Sequence, residues 1–126
     1  MIPYGKQSVN KKDVDAVINV LKSDFLTQGP KVPEFENKTC EYVHAKYATA
    51  VNSATSALHI AYLALGLQPG DELWTTSTTF VATVNCAIYC GAKVDFVDIS
   101  LETGLMDTDD LESKLNEDDL ALINSM

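Results

Sequence analysis

Apolar positions along this chain switch repeatedly between a helical and a strand-like period. Val14, Val17, Ile18 and Leu21 fall at helical spacing behind Asn10, a helix-capping residue type, with Asp13 in the first turn where the helix dipole favours an acid. Ser23-Asp-Phe-Leu-Thr-Gln-Gly-Pro30 breaks the pattern, and Gly29-Pro30 is a strong turn signal. A second helix is predicted from about Val32 to about Lys46, with Phe35, Thr39, Tyr42 and Val43 turned inward. Residues 48–51 read as a short buried strand. Ala54, Leu58, Ala61 and Leu65 then predict one face of a helix that ends at Gly66, a natural left-handed closing residue. Pro69-Gly-Asp71 predicts a turn, residues 72–75 a strand, and residues 80–90 a small-residue helix closed by Gly91. Residues 93–98 form the next predicted strand. Thr108 is the expected cap of a last helix holding Leu111 and Leu115, and Leu120-Ala-Leu-Ile123 reads as the opening of a fourth strand.

Strands alternating with helices imply an α/β fold with a mostly parallel sheet, flanking helices and right-handed crossovers. Ligands in such sheets bind beyond the carboxyl ends of the strands. Two hydroxyl-rich junctions are predicted there, one after Val51 and one after Thr75. There is no internal repeat and no low-complexity tract.

Composition narrows the choice of partner. The chain has 126 residues and a formal net charge of −9, from 18 acidic against 9 basic side chains. No basic patch stands out, which argues against nucleic acid as the main partner. The acids crowd between Asp98 and Asp119, where a solvated helix face accounts for them. No apolar run approaches the roughly 20 residues of a membrane span, and Met1-Ile-Pro-Tyr-Gly5 leads into a polar segment unlike a signal peptide. Three cysteines, Cys40, Cys86 and Cys90, make no disulfide framework and fit a reducing cytoplasm. Cys86 and Cys90 lie one helical turn apart and read as buried small hydrophobes. A metal would need further ligands, and His44 and His59 lack the spacing to supply them.

The junction Asn52-Ser-Ala-Thr-Ser56 has two readings. It is an ordinary helix cap, or it is an anion site built from unpaired first-turn N–H groups, the helix dipole and the hydroxyls of Ser53, Thr55 and Ser56. The glycine-lysine pattern of a nucleotide-binding P-loop is absent, as is the Gly-x-Gly-x-x-Gly dinucleotide pattern. Phe80, just past the second junction, is either a core residue or a stacking surface for a flat ligand. Leu26-Thr-Gln-Gly-Pro30 with Phe35-Glu36 is by itself only a loop before a helix.

Taken in order, Ile2-Pro-Tyr4, Leu26-Thr-Gln-Gly-Pro30, Phe35-Glu36, Asn52-Ser-Ala-Thr-Ser-Ala-Leu-His59, Leu65-Gly-Leu-Gln-Pro-Gly-Asp-Glu72, Thr79-Phe-Val-Ala82 and Gly91-Ala-Lys-Val-Asp-Phe-Val-Asp98 resemble the DegT/DnrJ/StrS-type sugar aminotransferases. The likeness runs from Ile2 to about Leu115. It implies the N-terminal part of the large domain of a fold type I pyridoxal 5′-phosphate (PLP) enzyme, with later strands and a C-terminal domain missing. It also implies a homodimer. Thr55 and Ser56 would hold the cofactor phosphate and Phe80 would stack on its ring. Tyr4, Asp24, Phe25, Leu26, Thr27 and Ser53 would line the sugar-nucleotide site. The Asn-Ser-Ala-Thr-Ser form, with Leu-Thr-Gln-Gly before it, most resembles the branch serving pseudaminic acid biosynthesis. That branch aminates a UDP-linked 4-keto-6-deoxy-N-acetyl sugar at C4, with glutamate as donor.

The resemblance also implies a Schiff-base lysine and an acid facing the pyridinium nitrogen, both downstream and outside this chain. None of Lys6, Lys11, Lys12, Lys22, Lys31, Lys38, Lys46, Lys93 and Lys114 stands in the family's lysine context. Two alternatives stay open: a PLP-dependent sugar dehydratase of the same family, in which histidine replaces the lysine, and a non-catalytic fragment or interaction module. The chain alone is expected to be inactive. Borohydride treatment after incubation with PLP should trap no single lysine adduct, and one trapped lysine accompanied by turnover would overturn this.

Overall fold

Asn10 starts the first helix in the way its side chain permits. In the computed structural model, which describes residues 5–115, α1 (Lys11–Leu21) opens with a reciprocal cap. Lys12 donates its N–H to Asn10 Oδ1 and the Asn10 N–H donates to Asp13 Oδ2, each at 2.8 Å. α2 (Lys31–Val43) starts directly behind Pro30 and stops short of the predicted Lys46, because His44 turns left-handed at φ 54°. Both helices belong to the first of two compact units, Met1–Ala50; the second is Val51–Met126.

The expected inward face of α2 does not materialise. Phe35, Tyr42 and Val43 are exposed, as are Val14, Val17, Ile18 and Leu21 on α1. These stripes are apolar enough for burial, but no element among the described residues of this unit packs extensively against them. The predicted strand at residues 48–51 is also absent. The Ala50 N–H that a neighbouring strand would need is taken by Glu36 Oε1 at 2.8 Å, so side-chain capping replaces ladder pairing here.

The second unit holds the sheet. α3 (Ala54–Ala64) is followed by β1 (Glu72–Thr76), α4 (Val81–Tyr89), β2 (Lys93–Val97) and α5 (Thr108–Lys114). β1 and β2 pair in parallel, with Glu72 opposite Lys93 and Thr76 opposite Val97. This is the β–α–β unit the alternation predicted, with two strands among the described residues; the expected strand near Leu120 lies outside them. The core is small. Among the described residues its buried side chains are Ala82, Cys86 and Ala87 of α4, the closing residue Cys90, and Ala92, Val97 and Thr75. Cys86 and Cys90 are free thiols in that core, as the small-hydrophobe reading expected.

Two helices close by the same device. Past α3, Gly66 N–H bonds to Leu63 O and Leu67 N–H to Tyr62 O, each at 3.0 Å. Past α4, Gly91 N–H bonds to Ile88 O and Ala92 N–H to Ala87 O. Both are Schellman closures, with the glycines at φ 85° and 81°. α5 is capped by Asp107 rather than the expected Thr108, which forms the first helical residue. The Asp107 carboxylate accepts from the Asp109 and Asp110 N–H groups and so satisfies two first-turn donors. Asp110 Oδ2 accepts the Asp98 N–H at 2.8 Å and Lys114 reaches Asp95 at 3.4 Å, which docks α5 on the end of β2. The Phe96 N–H and then Lys114 hold the Asp95 carboxyl below its ordinary range. No helix among the described residues is long and apolar enough to cross a membrane.

The two closing glycines differ in surroundings. A Cβ at Gly66 would meet nothing within 4 Å, whereas one at Gly91 would lie 2.8 Å from Pro69 Cγ. Gly66→Ala is expected to cost about 1–2 kcal/mol for the left-handed backbone alone. Gly91→Ala should cost about 1 kcal/mol more, because Pro69 must also move. Urea unfolding of the two variants checks the order; equal midpoints would refute the Pro69 contact.

Candidate functional site

The first turn of α3 is built by its own polar side chains. Ser53, extended at φ −160° and ψ 158°, is the cap, and its Oγ accepts the Ser56 N–H at 3.2 Å. The Ser56 hydroxyl donates to Asn52 Oδ1 at 2.7 Å and lies 3.1 Å from Ser53 Oγ. Asn52, Ser53 and Ser56 thus form a closed ring of hydrogen bonds. Geometry leaves other donors over. The Ala54 and Thr55 N–H groups precede any intrahelical acceptor, and the Thr55 hydroxyl has no partner among the described residues. No acid stands in this turn. Two amides, one hydroxyl and the positive end of the dipole converge where an anion can be received.

The cap reading of the Asn52–Ser56 junction holds, and it leaves room for an anion beside it. Ser53 is a true cap, and the donors beside it remain available. Only part of the expected hydroxyl array is free: the Ser56 proton is already engaged, so that side chain must rotate before it can donate outward.

Phe80 stands at the N-cap of α4, just past the carboxyl end of β1 and without a side-chain cap bond. It is 65% exposed, so the core reading fails and a free aromatic face remains. α3 and α4 pack together in the same unit. Tyr62 Oη donates to Thr83 O at 3.3 Å, and His59 meets Tyr89 edge-on at 5.5 Å between ring centres. Burial raises the Tyr62 phenol above its ordinary value, assisted by Cys86 and Cys90, so it stays a neutral donor. The Cys86 thiol donates to Thr55 O at 3.3 Å. The packed side of α3 carries Thr55, Leu58, His59 and Tyr62 rather than Ala54, Leu58, Ala61 and Leu65. Apolar periodicity misplaced that face because its contacts are made by polar groups and by the backbone.

The loop between α1 and α2 holds the other expected binding residues. Asp24, Phe25, Leu26 and Thr27 follow Ser23, whose hydroxyl donates to Val20 O and accepts the Phe25 N–H. Phe25 and Leu26 are exposed and line a hollow of about 160 Å³ with Asn19, Val20 and Gln28; Asp24 and Thr27 are not among its lining residues. Gly29 is required here, since a Cβ would sit 2.7 Å from Phe25 Cβ. Tyr4 lies outside the described residues. Asn52 and Cys86 were not singled out as site residues from the sequence. The four-residue spacing of Asn52 and Ser56 is a readable signal for the first bond, whereas the Cys86 contact spans 31 residues and has none. Among the described residues no cluster of acids, cysteines and histidines is arranged to hold a metal ion.

The chain is similar to known proteins in sequence and in fold. The chain is 47% identical, over 98% of its length, to a UDP-4-amino-4,6-dideoxy-N-acetyl-beta-L-altrosamine transaminase of Campylobacter jejuni, and covers 33% of that protein. The structure superposes with a TM-score of 0.85 on a Streptococcus pneumoniae protein assigned as a sugar aminotransferase, in its PLP form. That pair is 32% identical, with 92% of this chain and 30% of the other covered. Helicobacter pylori PseC, an aminotransferase in pseudaminic acid biosynthesis, gives 0.82 at 38% identity, over 91% of this chain and 31% of its own. The chain spans about a third of the length of the curated relatives it matches. Residues 7–124 match the DegT/DnrJ/EryC1/StrS aminotransferase family, and the chain belongs to that family.

Proposed function

We propose that the complete protein carrying this segment is a PLP-dependent aminotransferase that moves an amino group from glutamate to C4 of a UDP-linked 4-keto-6-deoxy-N-acetyl sugar, in nucleotide-sugar and pseudaminic acid biosynthesis. The observation that carries this reading is the 47% identity to the C. jejuni transaminase over nearly all of this chain. A homodimer in the cytoplasm completes the proposal; three free cysteines support the reducing compartment.

The residues present fit PLP. The Ala54 and Thr55 amides, with the Thr55 hydroxyl, would hold its phosphate at the N-terminal end of α3, where the dipole would add to each hydrogen bond. The Ser56 hydroxyl would join them on leaving Asn52. Phe80, exposed at the start of α4, would offer its aromatic face to the cofactor ring. When bound, PLP supplies the electron sink through which an amino group is exchanged. Ser53 serves the sugar nucleotide through whatever capacity its cap bond leaves free. Within the first unit, Phe25 and Leu26 carry exposed apolar surface and Asp24 and Thr27 carry polar groups of the kind a sugar nucleotide would need.

In the complete protein, Thr55→Val combined with Ser56→Ala should raise the PLP dissociation constant about tenfold or more, the loss of one or two charge-assisted hydrogen bonds. Pyridoxal, which lacks the phosphate, should bind both forms alike. Glutamate labelled with ¹⁵N should pass its label to the sugar. Loss of water from the sugar without label transfer would refute transamination and identify a dehydratase.

A further inference from the structure

The seam between α3 and α4 contains a contact that core packing alone does not require. Cys86 is fully buried, at 0% exposure. Its thiol does not merely fill space: Sγ donates to the Thr55 carbonyl at 3.3 Å. Thr55 is the residue whose amide and hydroxyl stand free in the first turn of α3. A single buried side chain of α4 is thereby joined to the backbone of the anion-receiving turn. The same helix begins at Phe80. From Val81 to Cys86 the rise is about 7.5 Å, so one rigid stretch of α4 links the aromatic face to the turn that carries the donors.

We propose that Cys86 is a positioning residue for phosphate capture. By holding the Thr55 carbonyl it fixes the first turn of α3 at a set offset from Phe80, so that phosphate donors and ring support meet one ligand together. Tyr62, bonded to Thr83 O, secures another part of the seam. The role rests on the PLP reading given above and adds a residue that never touches the cofactor. An S–H donor is weak, so the effect is one of alignment, and it should appear in phosphate affinity before it appears in global stability.

Two opposed substitutions in the complete protein separate alignment from packing. Cys86→Val removes the donor and slightly increases bulk; Cys86→Ser keeps a donor and slightly reduces bulk. Cys86→Val should weaken PLP binding about threefold to tenfold, the range of one modest hydrogen bond, with pyridoxal binding unchanged and the ³¹P resonance of bound PLP shifted. Cys86→Ser should stay within about twofold of the parent, as expected when a donor is retained. The reverse order, or equal loss of PLP and pyridoxal affinity, would reduce Cys86 to a packing role and overturn the proposal. Should either variant fail to fold, Cys86→Ala supplies the donor-free form and must show the same loss confined to PLP. If Thr55→Val with Ser56→Ala weakens PLP but no Cys86 variant does, only the positioning role falls. If the parent protein does not bind PLP, the functional reading falls with it.

Discussion

Close approach of α4 to its neighbours governs the second unit. A helix can press its backbone against both a sheet and another helix only where its side chains are short, and α4 presents Ala82, Cys86 and Ala87 inward, with Cys90 at its cap. That economy of volume brings Cys86 within reach of the Thr55 carbonyl and Thr83 O within reach of Tyr62. A leucine in place of Cys86 would force the helices apart and break both contacts. The strand order follows from the same helix, because α4 is the crossover that makes β1 and β2 parallel. The glycine that ends it must be bare, since Pro69 occupies the volume a side chain would need.

Much of this unit can be read from local chemistry. Gly66 and Gly91 mark helix ends because the backbone there is left-handed, and Asn10 with Asp13 marks a beginning because two orphan donors find two acceptors. β1 and β2 follow from short apolar runs between turn signals. Asp107 and Thr108 are both good capping types, and choosing between them requires knowing which carboxylate reaches two amides at once. What resists local reading depends on distant partners. Residues 48–51 have the composition of a strand but no ladder among the described residues. Phe35, Tyr42 and Val43 have the spacing of an inner face but nothing over them among the described residues of their own unit.

The candidate site residues divide in the same way. Thr55, Ser56 and Phe80 stand next to element boundaries that the sequence announces, where unpaired backbone groups and free side chains occur, and the family likeness assigns them to a cofactor. Asp24, Phe25, Leu26 and Thr27 were legible only through the family likeness; as a loop they carry no signature beyond Gly29-Pro30. Their fold explains why Gly29 is needed there, given how closely its backbone passes Phe25.

The bond from Ser56 to Asn52 has a consequence for selectivity. The amide oxygen of Asn52 already occupies the direction in which the Ser56 hydroxyl would donate, so the turn keeps its shape with nothing bound. A newcomer must displace that built-in acceptor, and the transaction is an exchange rather than a gain. A neutral oxygen offers no advantage over the one it replaces. An ionised phosphate does, because charge strengthens the hydrogen bond and the dipole of α3 rewards it again. Asn52 would thereby act as an internal competitor for the Ser56 hydroxyl, one that an anion displaces more readily than a neutral oxygen does.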